Sequence, residues 1–138
     1  MSRPFFGALA LLLGIASTVT PAFAKDCWLV KNFSGYSAHS SDDYRFVENK
    51  AGQPILICFT VEGGTVTGLD VPVIKFGQST LAGYGGNDKG NEMFVVYQLD
   101  RERGKMLYMQ TRIGTKTVVP ILPDVLHAFV GDAIRAED

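Results

Sequence analysis

From Cys27 onward the chain breaks into short runs of β-branched and aromatic residues separated by glycine, proline and Asx clusters, the rhythm of antiparallel strands. Cys27 to Phe33 is the first run, followed by a polar stretch from Ser34 to Asp43 that reads as a surface connection, and then Tyr44 to Glu48. Past the breaker Gly52 to Pro54, Ile55 to Glu62 is almost continuously apolar and predicts a central strand. Gly63-Gly64 separates Phe59-Thr60-Val61 from Thr65-Val66-Thr67, and two adjacent glycines suit the positive φ angles of a tight hairpin turn. Val71 to Phe76 and Ser79 to Tyr84 follow, before a turn-forming loop from Gly85 to Asn91. Glu92 to Leu99 and Lys105 to Ile113 then flank a loop closing on Gly104, a second predicted hairpin.

Thr115 to Val119 predicts one more short strand, ended by Pro120 and Pro123, which cannot donate to a ladder. The tail has two readings. Asp124 could cap a helix burying Leu126, Phe129, Val130 and Ala133, although Gly131 weakens it, or Ala128, Val130 and Asp132 could belong to a closing strand. The expectation is an all-β domain, a small antiparallel barrel or sandwich of about eight short strands, with a short C-terminal helix as the open option. Met93 to Tyr97 breaks the alternation, being apolar on both faces, so its outer face, with Phe94 and Val96, should be covered or meet a partner.

The first segment sets the compartment. Arg3, an apolar run from Phe5 to Ala16 and the small-residue exit Ala22-Phe23-Ala24 read as a secretory signal cleaved before Lys25. Ser17, Thr18, Thr20 and Pro21 interrupt the run short of the roughly 20 apolar residues that a span needs. Residues 25 to 138 then form a single β domain, with a periplasmic or extracellular product and no membrane span after cleavage. Losing 24 of 138 residues leaves 114, and losing Arg3 leaves 12 Lys and Arg against 14 Asp and Glu. A formal charge of −2 without basic tracts argues against nucleic acid as a partner. In an oxidising compartment Cys27 and Cys58 pair most simply as one disulfide, with Trp28 and Ile55-Leu56-Ile57 packed around it.

Candidate chemistry is sparse. His39 and His127 are the only histidines, too few and too far apart in sequence for a metal signature, and no cofactor motif occurs. Gly77-Gln78-Ser79-Thr80-Leu81 misses the nucleophile-elbow pattern at its last position, and Asp88, Asn91 and Glu92 match no calcium loop. The stretch Ser34 to Tyr44 mixes tyrosine, serine and glycine, a composition suited to adaptable contacts. Tyr36, His39, Asp42, Asp43 and Tyr44 are therefore the candidate ligand- or partner-binding residues. In size, export and single-bridge design the chain resembles small exported β-barrel proteins, among them bacterial inhibitors of lysozyme and of proteases. The functional expectation is a non-enzymatic binding or inhibitor-like module for an exported protein or a small apolar ligand. Two alternatives stand beside it. One is a small hydrolase using His127, or His39 with a serine such as Ser40, Ser41 or Ser79; the other is an envelope subunit that oligomerises through the outer face of Phe94 and Val96.

Overall fold

The computed structural model describes residues 26–137, so the signal-like segment lies outside the described residues. Within them run nine antiparallel strands: β1 (Asp26–His39), β2 (Phe46–Ala51), β3 (Ile55–Phe59), β4 (Gly63–Val66), β5 (Val73–Phe76), β6 (Thr80–Gly86), β7 (Glu92–Asp100), β8 (Lys105–Ile113) and β9 (Val125–Arg135). From β3 to β9 each strand pairs with the next, β1 pairs with β3, and β9 returns to β1. That ring closes eight strands into a barrel, and β2 is a ninth strand held by β1 alone. Closure removes the edges that an open sheet would expose, and eight strands leave an interior just wide enough for side chains to fill. The all-β expectation holds, and its barrel form is the one adopted.

One bulge makes the ninth strand possible. Along the same edge of β1, Asp26–Val30 pair with β3 and Phe33–Ala38 pair with β2. Between the two stretches the β1–β9 register shifts at Lys31/Ser34, and Asn32 takes a left-handed φ of 55°. Asparagine tolerates that conformation better than most residues, and the extra residue bends the strand. Asn32 Nδ2 fixes the bulge by donating to Asp132 Oδ2 on β9 at 2.9 Å.

Three local expectations need correction, and the open reading of the tail is decided. Ser34 to His39 is strand, because Ser34 to Ala38 pair on both edges, with β2 and with β9, and His39 pairs with β9; the true connection is only Ser40 to Arg45. The Gly63-Gly64 pair is not the turn: Thr60-Val61-Glu62 make it, and the glycines lie in β4. Close backbone approach explains them, since a Cβ on Gly64 would fall 2.3 Å from the Cys58 carbonyl oxygen and one on Gly63 2.6 Å from that of Val73. Thr115–Thr117 is a 3-10 turn rather than a strand, tied down by Asp124 Oδ1, which accepts from the Thr115 N–H at 3.0 Å and from its hydroxyl at 2.9 Å. The tail is strand, not helix, because β8 and β1 offer it two free edges, and the ladder it completes closes the barrel. The second hairpin is as expected, with Asp100 opposite Lys105 and Gly104 at a φ of 60°.

Alternation and register stack the inward side chains in rows across β1, β9, β8 and β7. His39, Val125, Arg112 and Met93 form the outermost row, and Ser37, His127, Gln110 and Val95 the next. The third is aromatic: Phe129, Tyr108 and Tyr97 stack with centroids 6.0 and 5.0 Å apart. Below it Gly131 lacks a side chain because Val30 and Phe33 fill that space, where a Cβ would meet them at 2.8 and 2.9 Å. The remaining depth is filled by Trp28, Ile57, Phe59, Leu81, Leu99 and Met106. Cys27 and Cys58 face one another in the β1–β3 ladder and are bonded, closing a separation of 31 residues that contains the whole of β2. Alternation sets the bridge on the outer side while Trp28 and Ile57 point inward, and Leu56 is 40% exposed. Of the residues expected around the sulfurs, Trp28, Ile55 and Ile57 therefore pack on the opposite face, and only Leu56 stands on the side of the bridge.

Candidate functional site

The outer face carries a wide apolar concavity. On β8 the alternate residues Leu107 and Met109 point outward, on β9 Ala128 and Val130, and on β7 Phe94, Val96 and Gln98. These strands are consequently apolar on both faces, although only the inner face is covered by the chain itself. A groove of about 640 Å³ runs over them, walled by Ser34 and Tyr36 of β1 and by Glu48 of β2. Beside it a second recess of about 520 Å³ lies over β5, β6 and β7, lined by Ile74, Phe76, Tyr84 and Phe94 and sharing Val96 with the first. The outer face of Phe94 and Val96 is thus uncovered in the single chain, with Phe94 41% exposed.

The inner face carries the polar chemistry. Ser37 Oγ lies 2.7 Å from His127 Nδ1 and accepts from Asn49 Nδ2 at 3.1 Å. A hydroxyl carries one donor and two acceptor sites, so Ser37 Oγ can accept from Asn49 and still pair with Nδ1 in either neutral tautomer of the ring. Burial, then electrostatic interaction with His39 and Arg112, holds the His127 pKa below its ordinary value. The two histidine rings meet edge to face at 5.8 Å. Tyr108 donates to Gln110 Oε1, Gln110 Nε2 contacts Met93 Sδ at 3.2 Å, and burial pushes the Tyr108 hydroxyl up to about 12.

A neutral histidine bonded to a serine has the parts of a base and a nucleophile, but Ser37 is only 1% exposed and no substrate carbonyl can reach its oxygen. Two of the serines raised by the sequence have other partners: Ser40 Oγ accepts from the Asp124 N–H and Ser79 Oγ from Arg101 Nε. Ser37 and His127 act as a packed polar layer above the aromatic row.

The five candidate binding residues do not converge. Tyr36 walls the outer groove, whereas His39 points inward toward His127. Asp42 and Asp43 line a small recess with Arg45 and Val47, and Asp43 and Tyr44 both adopt left-handed φ angles, 52° and 55°. Glu48, Leu107, Met109 and Val130 were not singled out from the sequence. The signal that finds the last three is apolar residues on both parities in β8 and β9, the pattern noticed only at Met93 to Tyr97, and no such signal marks Glu48 in β2. Glu92 at the start of β7 accepts from the Tyr84 hydroxyl at 2.9 Å.

Fold and grooves together define the class: a closed antiparallel β-barrel with a side-chain-filled interior, whose two apolar grooves lie outside the ring. Comparison with protein-family models, with curated proteins and with solved structures finds no match to this chain.

Proposed function

We propose that this protein is a non-enzymatic binding module of the periplasm or extracellular space, and that it takes a small apolar ligand in the groove outside β7, β8 and β9. The observation that supports this reading most is the groove itself: its volume falls in the range of small-molecule sites, its floor is Val96, Leu107, Met109 and Val130, and a few polar groups converge at its wall. Glu48, Gln98 and Tyr36 would orient a ligand bearing an amine or hydroxyl. A cross-strand disulfide, and the absence among the described residues of any helix long and apolar enough to cross a membrane, are compatible with export.

The recess over Phe76, Tyr84 and Phe94 favours a second reading, in which that aromatic face meets a protein partner or another subunit, because its side chains stand about half exposed. Titration with the apolar fluorophore anilinonaphthalene sulfonate separates the two. Saturable binding by the purified protein, lost in Met109→Glu and kept in Phe94→Glu, is the expected result. Loss in Phe94→Glu alone would move the site to the second recess. Equal binding by both variants and the parent would remove the groove from consideration.

A further inference from the structure

β2 is the one strand of the described residues with a single neighbour, and its sequence is self-complementary. We infer that a second copy of this chain pairs with its free edge, antiparallel and in the register centred on Asn49. The edge is accessible: every side chain from Phe46 to Lys50 is exposed, while β1 occupies the opposite side. An unpaired row of N–H and C=O groups is a template for another strand unless something blocks it.

The register follows from what lies opposite what. With the two-fold axis through Asn49, residue 48 of one copy faces residue 50 of the other, so Glu48 meets Lys50 twice, once on each side of the axis. Residue 46 faces residue 52, which sets the Phe46 ring, 60% exposed in the single chain, against Gly52, where a Cβ would have nothing within 4 Å. These four positions share one face of the strand by alternation, so ion pairs and aromatic-on-glycine contacts form a single row. On the other face Val47 meets residue 51 and Asn49 meets its own copy. An axis through Glu48 or through Lys50 would instead set like charges directly opposite, which is destabilising. An axis between residues would join the outer face of one copy to the inner face of the other.

The pairing has a consequence for the groove. Tyr36 and Ser34 of β1 are the register partners of Glu48 and Lys50, and they wall the groove on the same face. Pairing at β2 therefore continues the sheet beyond Glu48 and sets the grooves of the two copies side by side, with the second copy's Lys50 next to the only carboxylate that lines the groove.

Sedimentation equilibrium of the purified protein from dilute to concentrated solution, with charge-reversal variants, tests the inference. A reversible dimer is expected. Glu48→Lys and Lys50→Glu should each weaken it by about tenfold, since each converts two attractive cross-strand pairs into repulsive ones. The double variant, which restores opposite charges, should return to within about twofold of the parent. A strict monomer at every concentration, a dimer indifferent to either reversal, or a dimer dissolved by Phe94→Glu and not by Lys50→Glu would overturn it. Circular dichroism of each variant verifies the fold, and the exposed positions of Glu48 and Lys50 make its loss in both variants an adverse result as well.

Discussion

The two ends of the barrel are built on opposite principles. At the end formed by the start of β1 and the β7–β8 turn, aromatic and aliphatic side chains fill the interior and one arginine covers them. Arg101 reaches from the turn to Asp26, with Nη1 and Nη2 donating to the two carboxylate oxygens at 3.0 and 2.7 Å. Its Nε donates to Ser79 Oγ at 3.0 Å, and its guanidinium carbon stands 5.6 Å from the Trp28 ring centroid and 5.3 Å from that of Phe59. Planarity lets one group pair and stack at once, which an ammonium cannot do. At the other end the interior rows turn polar, through His127, Gln110 and Ser37 to His39 and Arg112, and the Arg112 Nε is buried without a hydrogen-bond partner. The contrast teaches where stability is concentrated. The arginine-covered end satisfies its charge with a carboxylate and spends its volume on apolar contact, whereas the histidine end sets Arg112 near two imidazoles without an ion pair among the described residues.

The sharpest way to break this contrast is to cut one large side chain at the covered end. Trp28 is buried against Val30, Ile57 and Phe59, so Trp28→Ala should cost about 4 kcal/mol, the loss typical of a large aromatic removed from a core. Ser37→Ala at the polar end removes one hydroxyl that joins Asn49 to His127 and should cost about 1 kcal/mol. Urea unfolding of both variants measures the difference, and equal losses would show that the ends are energetically alike.

A smaller effect tests whether Arg101 covers that end or merely decorates it. Arg101→Ala should cost about 2 kcal/mol, from two cation–π contacts and a bidentate ion pair discounted for its partial exposure. Arg101→Lys should recover less than half of this, because lysine keeps the charge and loses the plane. Full recovery by lysine, read from the same urea midpoints, would reduce the interaction to simple charge pairing.

The covered end was also the more legible one. Cys27 and Cys58 announced their bond by number and compartment, and the β7–β8 hairpin by its glycine, because both signals are local. The pairing of Ser34 to His39 was hidden, since serine, glycine and alanine in that stretch resemble a loop until the neighbouring edges of β2 and β9 are known. Gly63 and Gly64 misled for a related reason: a glycine needed for close backbone approach and a glycine needed for positive φ look identical in sequence. The polar layer of Ser37, His127 and Gln110 depends on register between strands distant in sequence, and no spacing along the chain encodes it. Asp42 and Asp43 drew notice as paired acids, yet Tyr36 and His39, three residues apart, ended on opposite faces because an odd separation in a strand divides them.

The least of the expected effects separates the ends by pH. The Arg101 hydrogen bond holds the Asp26 carboxyl below its ordinary value of 3.8, so the covered end gains stability that is present above that pH and lost as pH falls through the lower folded value. His127 is also depressed, but for a base the neutral form is then the one the fold prefers. Above about pH 6.5 folded and unfolded chains both hold it neutral and the contribution is complete. As pH falls below that value the unfolded chain takes a proton that the folded chain declines, and stability drops until the folded value is passed. One proton limits the slope to about 1.4 kcal/mol per pH unit, and the half-buried position of the ring lowers the total. The physical cause is the geometry of the row: a proton added to the half-buried ring must be desolvated, and the new charge faces His39 and Arg112. His127→Gln should flatten the stability profile just below pH 6.5 while leaving the acid limb intact, and Asp26→Asn should do the reverse. A profile whose slope below pH 6.5 survives His127→Gln would mean that the polar end is not the part of the barrel that loosens first.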